Sequence, residues 1–516
     1  MAMAAELPSY LLLLALLVMI PLLYLKVSRG RPCNSGRRLP PGPWALPVIG
    51  HLHHLAGALP HRAMRDLARR HGPLMLLRFG EVPVAVASSA DAAREIMKTH
   101  DLAFASRPIG PTLRRVLQGA EGVVFAPYGD AWRQLRKICT VELLSARRVS
   151  SFRPVREEEL GRLLRSVGSA AATGPVNLSE LIAAFVADSS VRAISGCRGK
   201  NRDEFLRLLE EGLKVVPGMS LPDLFPSWPL AMRLSRVPGQ TEERRRGMLA
   251  FLDATIQERQ ENRAAAAAAA GMDEHEDLLD VLLRLQKDMG SQYPLTTMNI
   301  RAVILDMFVA GSETSSTMLQ WAMAKLMRNP KVMQRAQEEV RRELAGHDKV
   351  TEDGLKNLHY LRLVIKETLR LHPAAPLLLP RECRSPCQVL GFDVPQGAMV
   401  LVNAWAIGRD PAQWDAPEEF VPERFEEQGS GGGRDFKGTD FEFVPFGAGR
   451  RICPGMTFGL AHVELALAAL LFHFDWKLPE AMVPEEMDMT EEGGLTTRRR
   501  SDLLLVAVPR APVPIE

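Results

Sequence analysis

The amino-acid sequence predicts a mainly α-helical fold with small β-sheets, preceded by an N-terminal transmembrane helix. Three observations carry this. Helical apolar spacing dominates the 516 residues, while strand signals are short and dispersed. The segment LPSYLLLLALLVMIPLLYL, Leu7–Leu25, holds 19 residues without a charge, enough as a helix to span a hydrocarbon core. Near the end, PFGAGRRICPG, Pro445–Gly455, sets one cysteine between two arginines and a Pro-Gly pair, ahead of the apolar helical segment TFGLAHVELALAALLFHF.

Glu6 precedes the uncharged segment, and Lys26, Arg29, Arg31, Arg37 and Arg38 follow it. Positive charge stays on the cytosolic side, so the large body faces the cytosol. The basic start and small-residue cleavage pattern of a removed signal peptide are both poor here, so the segment is a retained anchor. In that topology the glycosylation-like Asn177-Leu-Ser179 never meets the lumenal machinery. The chain divides into an anchor over 1–27, a basic and proline-rich hinge over 28–50, and a large body over 51–516. The hinge ends in LPPGPWALPVIG, whose four prolines and two glycines cannot continue a helix. It is both a linker and a stiff elbow holding the body against the membrane surface.

Within the body, Pro73–Gly80 and Val82–Ser89 predict a hairpin turning at Gly80 and Glu81. DAAREIMKTH follows as a helix capped by Asp91. Residues Leu178–Glu261 are mostly helical. They are interrupted by Pro217–Pro229, a loop rimmed by Phe225, Trp228 and Leu230 that suits core packing, a ligand lid or a membrane contact. The alanines Ala264–Ala270 suit a surface linker or frayed helix, and Gly429–Gly433 a permissive loop. Short strands return around Leu495–Val508.

Lys plus Arg is 64 against 61 for Asp plus Glu, and a net charge of +3 over this length gives no nucleic-acid footprint. Six scattered cysteines resemble reduced thiols rather than a disulfide framework. Cys383 and Cys387 lack a second close pair for zinc, and His51–Leu55, HLHHL, lacks an acidic or cysteine partner for a metal.

Adjacent cations lower a thiol pKa, so Arg450 and Arg451 favour a charged Cys453. The loop's own residues leave four readings. A nucleophile needs a base, and the nearest histidine, His462, falls inside the apolar helix. A phosphate-binding GxGxxG fails because Ile452 holds the third glycine position. A buried inert cysteine is the third. The fourth is axial ligation of haem iron. There Gly447 and Gly449 let the backbone lie close to a flat porphyrin, and the amides of the following helix stabilise the thiolate.

Phe446, Gly449, Arg451, Cys453 and Gly455 match the haem-binding signature of the cytochrome P450 superfamily. The chain resembles that family through further motifs in the same order: AWRQLRK at Ala131–Lys137, KETLR at Lys366–Arg370, and Pro422-Glu423-Arg424-Phe425. The resemblance implies the cytochrome P450 haem-thiolate fold holding haem b. Cys453 is then the proximal iron ligand, Phe446 packs beside the thiolate, and Arg451 reaches a propionate. Trp132, Arg136 and Arg381 match further propionate positions, with His372 approaching one. Glu367, Arg370 and Arg424 form a buried structural network behind the haem.

MFVAGSETSSTM, Met307–Met318, puts poor helix formers inside an otherwise helical pattern. Gly311 and the hydroxyls either permit a close helix crossing or loosen the backbone ladder into a groove for dioxygen and water. The run resembles the family's oxygen-activation motif. That implies Thr314 steadies reduced oxygen and orders water, while Glu313 relays protons. The intact Glu313–Thr314 pair argues against family members that rearrange or dehydrate fatty-acid hydroperoxides without NADPH. The resemblance implies a monooxygenase in the endoplasmic reticulum membrane. It uses dioxygen and takes electrons from NADPH through a membrane-bound NADPH–cytochrome reductase, with cytochrome b5 as a further partner and Arg133 and Lys137 on the docking face. PPGPWALPVIG and AGSETSST are similar to plant microsomal A-type members, and EEGGLTTRRRSDLLLVAVP to grass terpenoid oxidases. This implies hydroxylation of an apolar terpenoid, with a phenolic or amino-acid-derived metabolite as the alternative. The expected pocket wall takes Arg107–Gly129, Phe308, Ala310, Ala375–Leu379, Leu495 and Thr496.

Overall fold

The computed structural model describes residues 36, 38–117, 122–196, 207, 220–235, 237–268, 276–287, 294–479 and 482–512. The expected anchor, Leu7–Leu25, lies outside the described residues. The predicted hairpin forms: β1 (Leu74–Phe79) runs antiparallel to β2 (Val82–Ala87), with Leu74 opposite Ala87 and Phe79 opposite Val82. Gly80 makes the turn at φ 59°, a left-handed conformation that favours glycine. Two late strands complete this sheet, β3 (Arg381–Glu382) and β4 (Met399–Val402), in the order β1-β2-β4-β3. The β2–β4 pairing is parallel. A separate small hairpin, β5 (Glu491–Glu492) with β6 (Arg498–Arg499), lies near the C-terminus. Leu504–Pro509 pairs with both Val176–Asn177 and Phe474–Lys477.

Five helices position the site: α1 (Asp130–Ile138), α2 (Leu178–Ser195), α3 (Thr297–Arg328), α4 (His359–Leu371) and α5 (Met456–His473). Thr296 starts α3 with a reciprocal cap, its hydroxyl accepting from Asn299 N and its N–H donating to the Asn299 side chain, both at 3.1 Å. The helix then runs unbroken past Gly311 and stops before Pro330. Helix α5 is apolar all round because it is enclosed. Leu465, Leu467 and Leu470 are fully buried in a core shared with Ile182 of α2 and Leu319 of α3. Among the described residues it alone is long and apolar enough to cross a membrane, but 67% of it is buried inside the protein.

Two local expectations are corrected and a third is narrowed. Ser89, not Asp91, caps the helix after the hairpin, its hydroxyl accepting from Ala92 N at 3.2 Å; Asp91 sits in the first turn. The alanine run, read as a surface linker or a frayed helix, is helical as far as Ala268, in the helix Val237–Ala268, as the best helix-forming residue allows. The proline-rich loop contains one short helix, Leu221–Leu224, and a second, Pro229–Leu234, begins at its last residue. Phe225 is buried there, while Trp228 and Leu230 are exposed. This segment and the end of the hinge meet at the β1–β2 turn: Gly80 N donates to Ile49 O at 3.2 Å and Glu81 N to Leu224 O at 2.8 Å. Leu39, Trp44 and Ile49 of the hinge are also exposed.

Candidate active site

The cysteine loop turns on glycines. Gly449 has φ 68°, and a Cβ there would stand 2.2 Å from the Met97 carbonyl oxygen. No other residue fits. The Cys453 N–H donates to Phe446 O at 3.0 Å. Burial pushes the Cys453 thiol up, while the Gly455 N–H and the charge of Arg136 pull it down. The expectation that Arg450 and Arg451 supply this charge is corrected. Arg450 turns outward to Asp101 at 2.9 Å. Arg451 binds the carbonyls of Ala105, Val123 and Ala126 at 2.7, 3.2 and 2.5 Å. The helix amide and a cation from α1 act on the sulfur instead.

Cys453 opens on a cavity of about 430 Å³, bounded on the other side by α3. Arg107, Arg136, Arg381 and Arg451 line it. Arg381 donates to Asp101 at 3.0 Å and Ala448 O at 2.7 Å. Arg107 donates to Leu379 O at 2.7 Å and Pro380 O at 2.8 Å, and Arg136 donates to Ile452 O. Burial first, then repulsion from Arg381, Arg451 and Arg136, drives the Arg107 pKa well below its ordinary value. The same causes, burial followed by Arg381 and Arg136, lower Arg451 to about 9. Trp132 stands behind this wall. Its indole N–H donates to Val123 O at 3.0 Å, and its ring lies 4.0 Å under the Arg451 guanidinium.

Behind the site, Arg370 of α4 forks onto both oxygens of Glu367 at 2.7 Å, and Arg424 donates to the same carboxylate at 3.0 Å. The trio expected from KETLR and PERF is therefore assembled and fully enclosed. On α3, the Thr314 hydroxyl donates to Ala310 O at 2.6 Å. This bond to the preceding turn leaves the helix continuous. Ala310, Gly311, Glu313 and Thr314 all face the cavity. The rest of the wall is largely aliphatic, including Leu305, Val309, Ala375, Leu378 and Leu495.

Two expected neighbours point elsewhere. Phe308 is buried on another side of α3, beside Val191 and Phe251. His372 stacks on Trp321 with ring centres 3.9 Å apart and planes at 7°, and faces Glu491 at 3.7 Å; burial lowers its pKa to about 3. Of the expected docking cations, Arg133 pairs with Asp130 and Lys137 is exposed. Sequence reasoning missed Asp306. Its carboxylate accepts from Val123 N at 2.6 Å and Val124 N at 3.0 Å, tying the loop over the cavity to α3. Burial raises it to about 6 against those two donors. A lone carboxylate on the apolar stripe Ile304-Leu305-Asp306-Met307 was the available signal.

A half-buried thiol across an apolar cavity from a hydroxyl-bearing helix, beside cations that outnumber their carboxylates, is the donor set of a haem-thiolate oxidoreductase. Soft sulfur suits the iron, the glycine loop admits a flat ring, and the arginines suit its two carboxylates. The comparisons agree. The family described as Cytochrome P450 matches residues 40–506, and the chain belongs to that family. It is 50% identical to desmethyl-deoxy-podophyllotoxin synthase of Sinopodophyllum hexandrum, over 95% of each chain. It is 46% identical to premnaspirodiene oxygenase of Hyoscyamus muticus, over 93% of this chain and 94% of that one. With ent-cassadiene hydroxylase of Oryza sativa subsp. japonica it shares 48% identity, over 91% and 92%. A solved zebra fish cytochrome P450 structure with abiraterone has the same fold, with TM-score 0.71 at 24% identity over 87% of this chain and 99% of that chain.

Proposed function

We propose that this protein hydroxylates an apolar terpenoid, using dioxygen and electrons delivered from NADPH by a membrane-bound reductase. The observation that carries it is the shared cavity: Cys453 on one wall, Glu313 and Thr314 on the other, and aliphatic side chains between. Relatives named for two dienes, premnaspirodiene and ent-cassadiene, support a hydrocarbon substrate. Bound haem would supply dioxygen binding and one-electron chemistry, held by Cys453 with Phe446 beside the sulfur, and by Arg136, Arg381 and Arg451 at its carboxylates. Trp132 acts through Arg451, which it braces from below. The Gly455 N–H and Arg136 favour the deprotonated sulfur. Thr314 holds a proton at its hydroxyl on the oxygen side, and Glu313 resupplies it from solvent. Leu305, Val309 and Leu378 orient the substrate by shape and exclude water.

The same reading makes 1–27 an anchor, 28–50 a hinge and 51–516 the catalytic unit, on the cytosolic side of the endoplasmic reticulum membrane. The exposed Trp44, Ile49, Trp228 and Leu230 support a body resting on lipid. Reductase and cytochrome b5 are the proposed electron-transfer partners on the cysteine side, with Lys137 on the docking surface.

The test is reconstitution with reductase, NADPH and isotopically labelled dioxygen, against terpene hydrocarbons, phenolics and fatty-acid hydroperoxides. A terpenoid carrying one labelled oxygen is the expected product. Exclusive turnover of phenolics would overturn the substrate class, and NADPH-independent hydroperoxide rearrangement the reaction class. Cys453→Ser is expected to abolish the thiolate signature of the ferrous carbon monoxide adduct; its persistence would remove Cys453 from the iron.

A further inference from the structure

The β5–β6 hairpin reaches the cavity from a buried, charged base. Glu491 is 2% exposed, accepts from Arg62 at 2.8 Å and contacts His61 at 3.1 Å. Farther along, Thr497 is held twice: its N–H donates to Ala374 O at 2.9 Å, and its carbonyl accepts from Trp321 Nε1 at 3.0 Å. Between these anchors Leu495 and Thr496 line the cavity wall. The Thr496 hydroxyl donates to Glu313 Oε1. The hydroxyl of Thr314, the next residue on α3, donates instead to Ala310 O. The acid and the alcohol of the proposed relay are therefore bonded to different elements, the acid to a hairpin that also touches substrate space.

We propose that Thr496 is a positioning residue for proton delivery. It holds the Glu313 carboxylate on the hairpin side until substrate packs against Leu495 and Thr496. Proton transfer toward Thr314 is thereby tied to occupancy of the cavity. This rests on the monooxygenase reading above. Without substrate, protons that arrive early have no C–H bond to accompany. Dioxygen then takes two electrons from NADPH through the reductase, with one proton from NADPH's oxidation and one from solvent, and leaves as hydrogen peroxide beside NADP⁺. A bond that restrains the acid suppresses this leak.

The experiment uses full-length protein with reductase and measures NADPH oxidation and hydrogen peroxide, without substrate and with the best-used hydrocarbon of the panel. Thr496→Val keeps the shape and removes the donor. It is expected to raise substrate-free peroxide formation about tenfold, the factor for losing one hydrogen bond to a charged group. Thr496→Ser restores the donor and is expected to stay within about twofold of wild type. In a Glu313→Ala background, Thr496→Val is expected to add nothing. Thermal unfolding of wild type, Thr496→Val, Glu313→Ala and the double variant gives a second readout, with non-additive Tm shifts expected for two groups in contact. If Thr496→Val does not fold, Thr496→Ala reads the same bond. An unchanged leak, or strictly additive Tm shifts, overturns the proposal; a purely structural threonine would lower Tm and leave the substrate-free leak alone. Absence of the thiolate signature in the wild-type protein would instead overturn the reading on which it rests.

Discussion

The two buried arginine clusters hold the same group in opposite electrostatic settings. Around Glu367, the carboxylate accepts from Arg370, Arg424 and Val421 N, and Arg370 spends its remaining donors on the carbonyls of Gly408, Pro417 and Glu419 at 2.6, 2.7 and 2.9 Å. Every strong bond there is internal. Along the cavity, Arg381 meets the carboxylate of Asp101, which Arg450 also uses, while Arg107, Arg136 and Arg451 donate to carbonyl oxygens. Their charged forms are disfavoured by burial, and for Arg107 and Arg451 also by neighbouring arginines, Arg381 first. Carbonyl oxygens satisfy their N–H groups but do not neutralise them. The first cluster is complete as folded; the second has charge to spare and becomes balanced when an anionic group enters.

Removing the anion from the complete cluster is the largest perturbation. Glu367→Ala leaves two buried guanidiniums without a carboxylate and is expected to cost about 3–5 kcal/mol. Soluble folded protein should be lost, and excess haem should not restore it. A folded variant with wild-type Tm would break the comparison. Arg136→Leu should behave the other way. It removes one cation from a crowded set, so the haem-free protein is expected to keep its Tm, while haem affinity falls about tenfold for the lost charge-assisted bond. Parallel Tm and haem-retention measurements separate the cases; equal losses in both would erase the distinction.

Asp306 sharpens the comparison because it is a half-buried carboxylate, of the other sign, on the cavity wall. Asp306→Ala strands the Val123 and Val124 N–H groups and is expected to cost about 2 kcal/mol and loosen the loop over the cavity, checked by urea unfolding and amide exchange of residues 122–126. Asp306→Asn retains the acceptor and should cost less. The smallest effect is on pH dependence. Burial raises the folded pKa from 3.8 to about 6, so the folded state binds the extra proton between those values. The contribution of this group to stability therefore falls as pH rises through that window. Wild type should show this slope relative to Asp306→Asn, and matching pH profiles would refute it.

The sequence by itself determined what depends on short spacing. Alternation and Gly80 specify the β1–β2 hairpin, because strand period and a left-handed turn are local properties. Glu367 and Arg370 share a helical face by their spacing, and Gly449 marks a place where the backbone must come close to another chain segment. Tertiary structure decided which way the neighbours face. Arg450 and Arg451 are adjacent, yet the single turn Gly449–Arg451 leaves one exposed and paired with the buried Asp101 and sends the other to buried carbonyls. Phe308 and Ala310 lie two residues apart on α3 and so project from different sides of the helix. Asp306 meets Val123, and Thr496 meets Glu313, each across 183 residues. No local pattern encodes such pairs, because they arise when helices and hairpins close around a common core and bury polar groups that must then find partners.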